Sequence, residues 1–116
     1  MSDFILYHNP RCSKSRQTLA LLEQHNIPFT TKLYLQDGLT QAEILSLKHK
    51  LKATSLLEMM RPKEAEFKTA GLAKTSSEAA FSSALQAHPK LLERPILVTP
   101  DAAAIGRPPE AVLAIL

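Results

Sequence analysis

Apolar residues fall in short blocks along this chain. Their spacing predicts strand, helix and strand, then a helical middle, then a strand-rich end. Phe4-Ile5-Leu6-Tyr7 is too short for alternation to be diagnostic, but its length and β-prone residues predict a buried strand. A helix then runs from Ser13 or Lys14 to about His25, with Leu19 and Leu22 toward the core, until Asn26-Ile27-Pro28 stops it. Phe29-Thr30-Thr31-Lys32-Leu33-Tyr34-Leu35 is rich in β-branched and aromatic residues and predicts a second strand. Such a βαβ unit has parallel strands and a right-handed crossover as a rule.

Gln36-Asp37-Gly38 is a turn. Thr40 and Glu43 have the spacing of a capping box, opening a helix through about Lys50 with Ile44, Leu47 and Leu51 on one side. Thr54 or Ser55 starts a shorter helical piece through Met60, and Pro62 limits it just after Arg61. Lys63 to Ala70 forms a further short turn before Gly71. Thr75 and Glu78 predict a second capping box and a helix to about Ala87, with Ala80, Phe81, Ala84, Leu85 and His88 on its buried side. Ile96-Leu97-Val98-Thr99 is the third strand, and Thr99-Pro100-Asp101 is a turn. Ala102-Ala103-Ala104-Ile105 is placed as a fourth strand against its own helical propensity. Pro109 suits a first helical position and Glu110 a first turn, so a last helix is expected to reach Leu116. The sum is a single α/β domain over 1–116, a small mixed sheet flanked by helices with a helical insertion between strands 2 and 3.

Composition narrows the chemistry. At 116 residues the chain is long enough for a real core. No apolar run approaches the ~20 residues of a membrane span, and Met1-Ser2-Asp3 has no basic n-region, so neither membrane nor signal peptide is expected. Fourteen basic against eleven acidic residues, dispersed, give a net charge of +3, which does not call for nucleic acid. The single cysteine, Cys12, excludes an internal disulfide and a multi-cysteine metal site, and an unpaired thiol suits a reducing cytoplasm. His25, His49 and His88 have no metal-ligand spacing with Cys12, so no metal is expected.

Cys12 sits where the first strand turns into the first helix. Unpaired helix N–H groups and the macrodipole favour a negative charge there, either a thiolate or an oxyanion beside it. Arg11, Lys14 and Arg16 add cations to the same turn, and His8 stands close in sequence. Cys12 is therefore the candidate nucleophile, with His8 either supporting the thiolate or serving as a structural residue. Ser15 occupies the place of the second cysteine of a Cys-x-x-Cys motif, which argues against dithiol chemistry carried by this chain alone.

The run Tyr7-His8-Asn9-Pro10-Arg11-Cys12-Ser13-Lys14-Ser15-Arg16 resembles the glutaredoxin-linked arsenate reductase (ArsC) family of the thioredoxin superfamily. Leu56-Leu57-Glu58-Met59-Met60-Arg61, Arg94-Pro95-Ile96 and Ile105-Gly106-Arg107-Pro108 are similar to further segments of that family, in the same order. The resemblance implies a thioredoxin-like fold, a cis bond at Arg94-Pro95, and Arg61, Arg94 and Arg107 as ligands of a tetrahedral oxyanion. Guanidinium groups suit that task because each offers several fixed donors and stays charged. The implied activity is reduction of arsenate to arsenite, with glutathione as co-substrate, glutaredoxin as partner and no bound cofactor. Two other readings stand beside it: a related glutathione-dependent thiol reductase acting on another substrate, and a non-catalytic Spx-like regulator of RNA polymerase, whose usual Cys-x-x-Cys switch Ser15 removes. Some relatives carry a tail beyond the position of Leu116, and no role for such a tail is expected here.

Overall fold

The computed structural model describes residues 3–116; Met1 and Ser2 lie outside the described residues. The chain divides into two compact units, one of residues 3–37 with Arg94–Leu116, the other of Gly38–Glu93.

The first unit holds a four-stranded mixed sheet. Its elements are β1 (Ile5–Tyr7), α1 (Ser13–Gln24), β2 (Thr30–Lys32), α2 (Tyr34–Asp37), β3 (Ile96–Val98), β4 (Ala103–Ile105) and a 3-10 helix over Pro109–Ile115. The sheet order is β2-β1-β3-β4, with β1 parallel to β2 and antiparallel to β3, and β3 antiparallel to β4. The small mixed sheet flanked by helices expected from the chain is thus present, including the fourth strand. Its core is built from Leu6, Leu22, Leu97 and Val112, with Phe4 and Leu19 packed against them. Leu22 is fully buried, and truncating such a side chain typically costs ~2–5 kcal/mol. Asn26 ends α1 in the left-handed conformation (φ 55°), with the Ile27 N–H bonded to the Leu22 carbonyl.

Two expectations in this unit need correction. The second strand ends at Lys32, and Tyr34–Asp37 is a helical turn whose Gln36 and Asp37 N–H groups donate to the Leu33 carbonyl. Tyr34 is fully buried there and its ring lies 6.4 Å from that of Tyr7, so tertiary packing overrides its β propensity. The last helix is of the tighter 3-10 type and ends at Ile115.

The second unit is the helical insertion: α3 (Gln41–Leu51), a 3-10 turn over Leu56–Met59, α4 (Ala65–Thr69), α5 (Glu78–Ala87) and a 3-10 turn over Pro89–Leu91. The Thr40–Glu43 capping box is formed as expected. The second box is not. Ser77, not Thr75, caps α5, its Oγ accepting from the Ala80 N–H. Glu78 turns away to accept from Lys48 Nζ at 2.9 Å, Ser55 Oγ at 2.7 Å and the Leu56 N–H at 2.8 Å. Three partners distant in sequence outcompete the one local N–H that a box offers. On α5, Phe81, Ala84 and Leu85 are buried as expected; Ser82 is buried too, and Ala80 and His88 are only half-buried. Among the described residues no helix is long and apolar enough to cross a membrane.

Candidate active site

The register of the first unit gathers the sequence motifs at one end of its sheet. Tyr7, the last residue of β1, pairs with Ile96, the first of β3, and Ile96 pairs with Ile105, the last of β4. The segments just beyond those three positions are 8–12, 94–95 and 106–107, so they emerge side by side. Gly106 extends the ladder by donating its N–H to the Pro95 carbonyl at 2.8 Å. The Arg94–Pro95 bond is cis, as the resemblance implied, and so is Arg107–Pro108, which the sequence did not announce.

Cys12 is the N-cap residue of α1, with extended backbone angles (φ −93°, ψ 125°). Its carbonyl takes the Arg16 N–H at 3.0 Å and its own N–H donates to the Asn9 carbonyl at 3.0 Å. The sulfur makes no formal capping hydrogen bond, yet it faces the helix N–H groups. Arg107 Nη2 lies 3.6 Å from Sγ, while Arg107 Nε donates to the Arg94 carbonyl at 2.9 Å. The Arg94 side chain also donates to the sulfur, and its Nε and Nη1 are shielded from solvent. Burial alone pushes the Cys12 thiol up. The Ser15 N–H, the hydrogen bond and charge of Arg94, and the Lys14 N–H outweigh it and hold the thiol below its ordinary value.

His8 is buried, and its recorded side-chain bond goes to Ser15: Nδ1 lies 2.6 Å from Ser15 Oγ. Burial first, and then the charge of Arg16, push the imidazole pKa down, so the ring is neutral at neutral pH. A neutral ring offers a thiolate no charge, which leaves that task to Arg94 and the helix N–H groups. Ser15 is fully buried, and its Oγ also accepts the Asn9 N–H at 3.0 Å. Asn9 in turn accepts the Arg11 N–H on Oδ1 at 3.0 Å, an Asx turn, and Arg16 Nη1 donates to the Pro10 carbonyl at 2.9 Å. The turn is therefore wired from within before any ligand arrives.

The structure thus brings Arg94 and Arg107 onto Cys12 and ties His8 into the same turn through Ser15. Arg61 belongs to the second unit. There the segment 59–61 bridges antiparallel to 91–93, and Arg61 donates from Nε to Glu64 at 3.1 Å and from Nη1 to Glu93 at 2.9 Å. Burial lowers its pKa, but Glu64 and Glu93 more than compensate and raise it.

Sequence reading overlooked three residues that shape the site. In the sequence Ser15 stands out as the residue in place of a second cysteine, although a serine on the first turn of a helix after a buried strand is also a signal for bonding back to the turn. The signal for Asn9 is the Asn9-Pro10 pair, which marks turn initiation. Gly106 left no signal beyond being a glycine: a Cβ there would stand 2.6 Å from Thr18 Oγ1 and 2.8 Å from Pro95 Cγ. Among the described residues no group of three or more His, Cys, Asp or Glu side chains could hold a metal ion.

The chain is similar to several known proteins over nearly its whole length. The chain is 46% identical over 113 residues to a protein of Haemophilus influenzae named arsenate reductase, covering 97% of each chain. It is also 46% identical over 112 residues to the Escherichia coli protein YfgD, named as uncharacterized, covering 96% of this chain and 94% of that one. A solved structure described as an arsenate reductase from Vibrio cholerae superposes with a TM-score of 0.93 at 44% identity, covering 97% of each chain. A family model matches residues 7–115, nearly the whole sequence, and the chain belongs to the ArsC family.

Proposed function

We propose that this protein is an oxidoreductase that reduces arsenate to arsenite, with Cys12 as nucleophile and with glutathione and glutaredoxin supplying the electrons. The observation that carries this reading is one sulfur at a helix N-terminus with two guanidinium groups, Arg94 and Arg107, upon it. A thiolate approaching a bare arsenate dianion meets like-charge repulsion. Two fixed cations neutralise the anion at the point where the sulfur stands. Arg61 is included as a third ligand on the strength of its sequence segment alone.

In the first step the Cys12 thiolate forms a sulfur–arsenic bond and one arsenate oxygen leaves, protonated, as water. Glutathione then adds its sulfur to the same arsenic with loss of a second oxygen as water. A glutaredoxin thiolate attacks the glutathione sulfur, the arsenic–sulfur bond to glutathione breaks, and its electron pair stays on arsenic. Arsenic(V) becomes arsenic(III), and the glutathione and glutaredoxin thiols become one mixed disulfide. Water releases arsenite and returns Cys12 as a thiol. The oxidation is thus borne by two external thiols, which suits a chain with a single cysteine and a reducing cytoplasmic setting.

A coupled assay with arsenate, glutathione and glutaredoxin tests the reading. The expected result is multiple turnover in the wild type and none in Cys12→Ser. Sustained turnover in Cys12→Ser would remove the nucleophile. Efficient turnover with thioredoxin and no small thiol would overturn the donor assignment and leave the cysteine chemistry standing.

A further inference from the structure

The proposed chemistry needs a second thiol to reach Cys12 while the oxyanion is held, and Arg94 and Arg107 are already committed to the anion side. The first unit has a cleft of about 310 Å³ beside the same turn. One wall is formed by His8, Asn9 and Arg11, and the other by Leu33, Leu35 and Gln36. Neither Arg94 nor Arg107 lines it, so an occupant would not compete with the anion for those two cations. The volume lies in the range of small-molecule sites.

The lining has a definite chemistry. Leu35 is 43% exposed, a large aliphatic surface left open to solvent in this cleft. Arg11 is exposed, its backbone N–H is used by Asn9, and among the described residues no hydrogen bond or ion pair engages its guanidinium. It is a cation whose fork of donors is open to a carboxylate. Gln36 and Asn9 add side-chain amides, and Asn9 has its oxygen spent on Arg11, which leaves its NH₂ as donor. The cleft is lined by residues 8–11 of the turn that carries Cys12, whose N–H donates to the Asn9 carbonyl at 3.0 Å, so a ligand held there lies against the turn that positions the sulfur.

We propose that this cleft docks the thiol co-substrate as an acidic peptide thiol of the glutathione type. One carboxylate lies on Arg11, the peptide groups meet Asn9 and Gln36, and the apolar stem lies along Leu33 and Leu35. The proposal rests on the reading of Cys12 as a nucleophile that takes its second thiol from solution, and its test is independent of arsenate.

The probe is glutathione disulfide, with the uncharged hydroxyethyl disulfide as reference. The Cys12 thiolate attacks one sulfur, the disulfide bond breaks, a Cys12–glutathione disulfide forms and one glutathione thiolate leaves. Mass spectrometry follows the rate for the wild type, Arg11→Glu, Arg11→Lys and Leu35→Asp, all changes at exposed positions. Arg11→Glu and Leu35→Asp are expected to slow the reaction with glutathione disulfide about tenfold relative to the reference disulfide. Arg11→Lys is expected to retain most of the preference. S-methylglutathione, which cannot react, is expected to shift the Leu33 and Leu35 methyl signals in NMR spectra of the wild type and not of Arg11→Glu. A reactive Cys12 with the same preference in all four proteins, or methyl signals that do not move, would overturn the cleft alone. A Cys12 inert to both disulfides would overturn the nucleophile and the cleft together.

Discussion

Gly106→Ala is the substitution for which the structure gives the sharpest expectation. The backbone there imposes no left-handed angle, so the requirement for glycine is one of space. An added Cβ meets Thr18 Oγ1 at 2.6 Å, Pro95 Cγ at 2.8 Å and Pro95 Cδ at 3.3 Å. Neither neighbour yields easily. Thr18 is fully buried with Oγ1 bonded to the Lys14 carbonyl at 2.9 Å, and the Pro95 ring is rigid and tied through its carbonyl to the Gly106 N–H at 2.8 Å. The end of β4 must move away. Overpacking of this kind costs ~1–3 kcal/mol, or roughly 4–15 °C in Tm for a domain of this size. The next residue is Arg107, whose contact to Sγ is already 3.6 Å, so a shift of half an ångström or more removes it. Thermal unfolding and alkylation of Cys12 against pH form the assay, with Gly71→Ala as control. Gly71 has φ +73° and nothing within 4 Å of an added Cβ, so that variant loses stability through backbone strain and keeps the Cys12 titration. For Gly106→Ala a lower Tm is expected, and with it a higher Cys12 pKa, because the Pro95 ring that the new Cβ displaces adjoins Arg94, whose hydrogen bond and charge lower that pKa. A wild-type Tm refutes the steric argument; a lower Tm with an unchanged titration refutes the claim that Gly106, through Pro95, keeps Arg94 on the sulfur.

Three other outcomes are expected. Arg94→Ala removes both a hydrogen bond to the sulfur and a nearby charge, so the midpoint of Cys12 alkylation should move up; an unmoved midpoint would leave the helix N–H groups as the sole cause. Arg107→Ala should weaken sulfate or arsenate binding by calorimetry by one to two decades, the ~1.5–3 kcal/mol of a charge-assisted contact, and equal affinity would make it a surface residue. Burial raises the Glu78 carboxyl, but Lys48, Ser55 and the Leu56 N–H bring it below the ordinary 4.5. Its contribution is therefore complete above that pH and lost as acid passes its folded value, and Glu78→Gln should show a smaller drop in urea midpoint between about pH 7 and about pH 3 than the wild type.

What could be read from the chain alone followed from local rules. The Cys12 turn, the Thr40 box, the stop at Asn26 and the two central strands, β1 and β3, each depend on a few adjacent residues. The failures have a common cause in distant partners. Tyr34 has the propensity of a strand and the burial of a helical turn beside Tyr7, and Glu78 has the spacing of a box but three better partners elsewhere. Arg94 and Arg107 were marked by their motifs, yet their convergence on one sulfur comes from the register of β3 with β4. Gly106 was illegible because its role consists of the side chain it lacks.

Ser15 has a consequence for the routes by which such a chain could change its chemistry. One substitution, serine to cysteine, would create a Cys-x-x-Cys turn and supply a resolving sulfur. But Ser15 Oγ holds the Asn9 N–H and His8 Nδ1 at full burial, and a thiol is both larger and a weaker hydrogen-bonding group. The mutant that gains the second sulfur is at once the mutant whose turn is loosened. In sequence space the two chemistries are one letter apart but separated by a valley, the weakening of two buried hydrogen bonds, one of them from the backbone N–H of residue 9. Under the proposed reading, a lineage on this side of the valley remains bound to whatever thiol its surroundings provide.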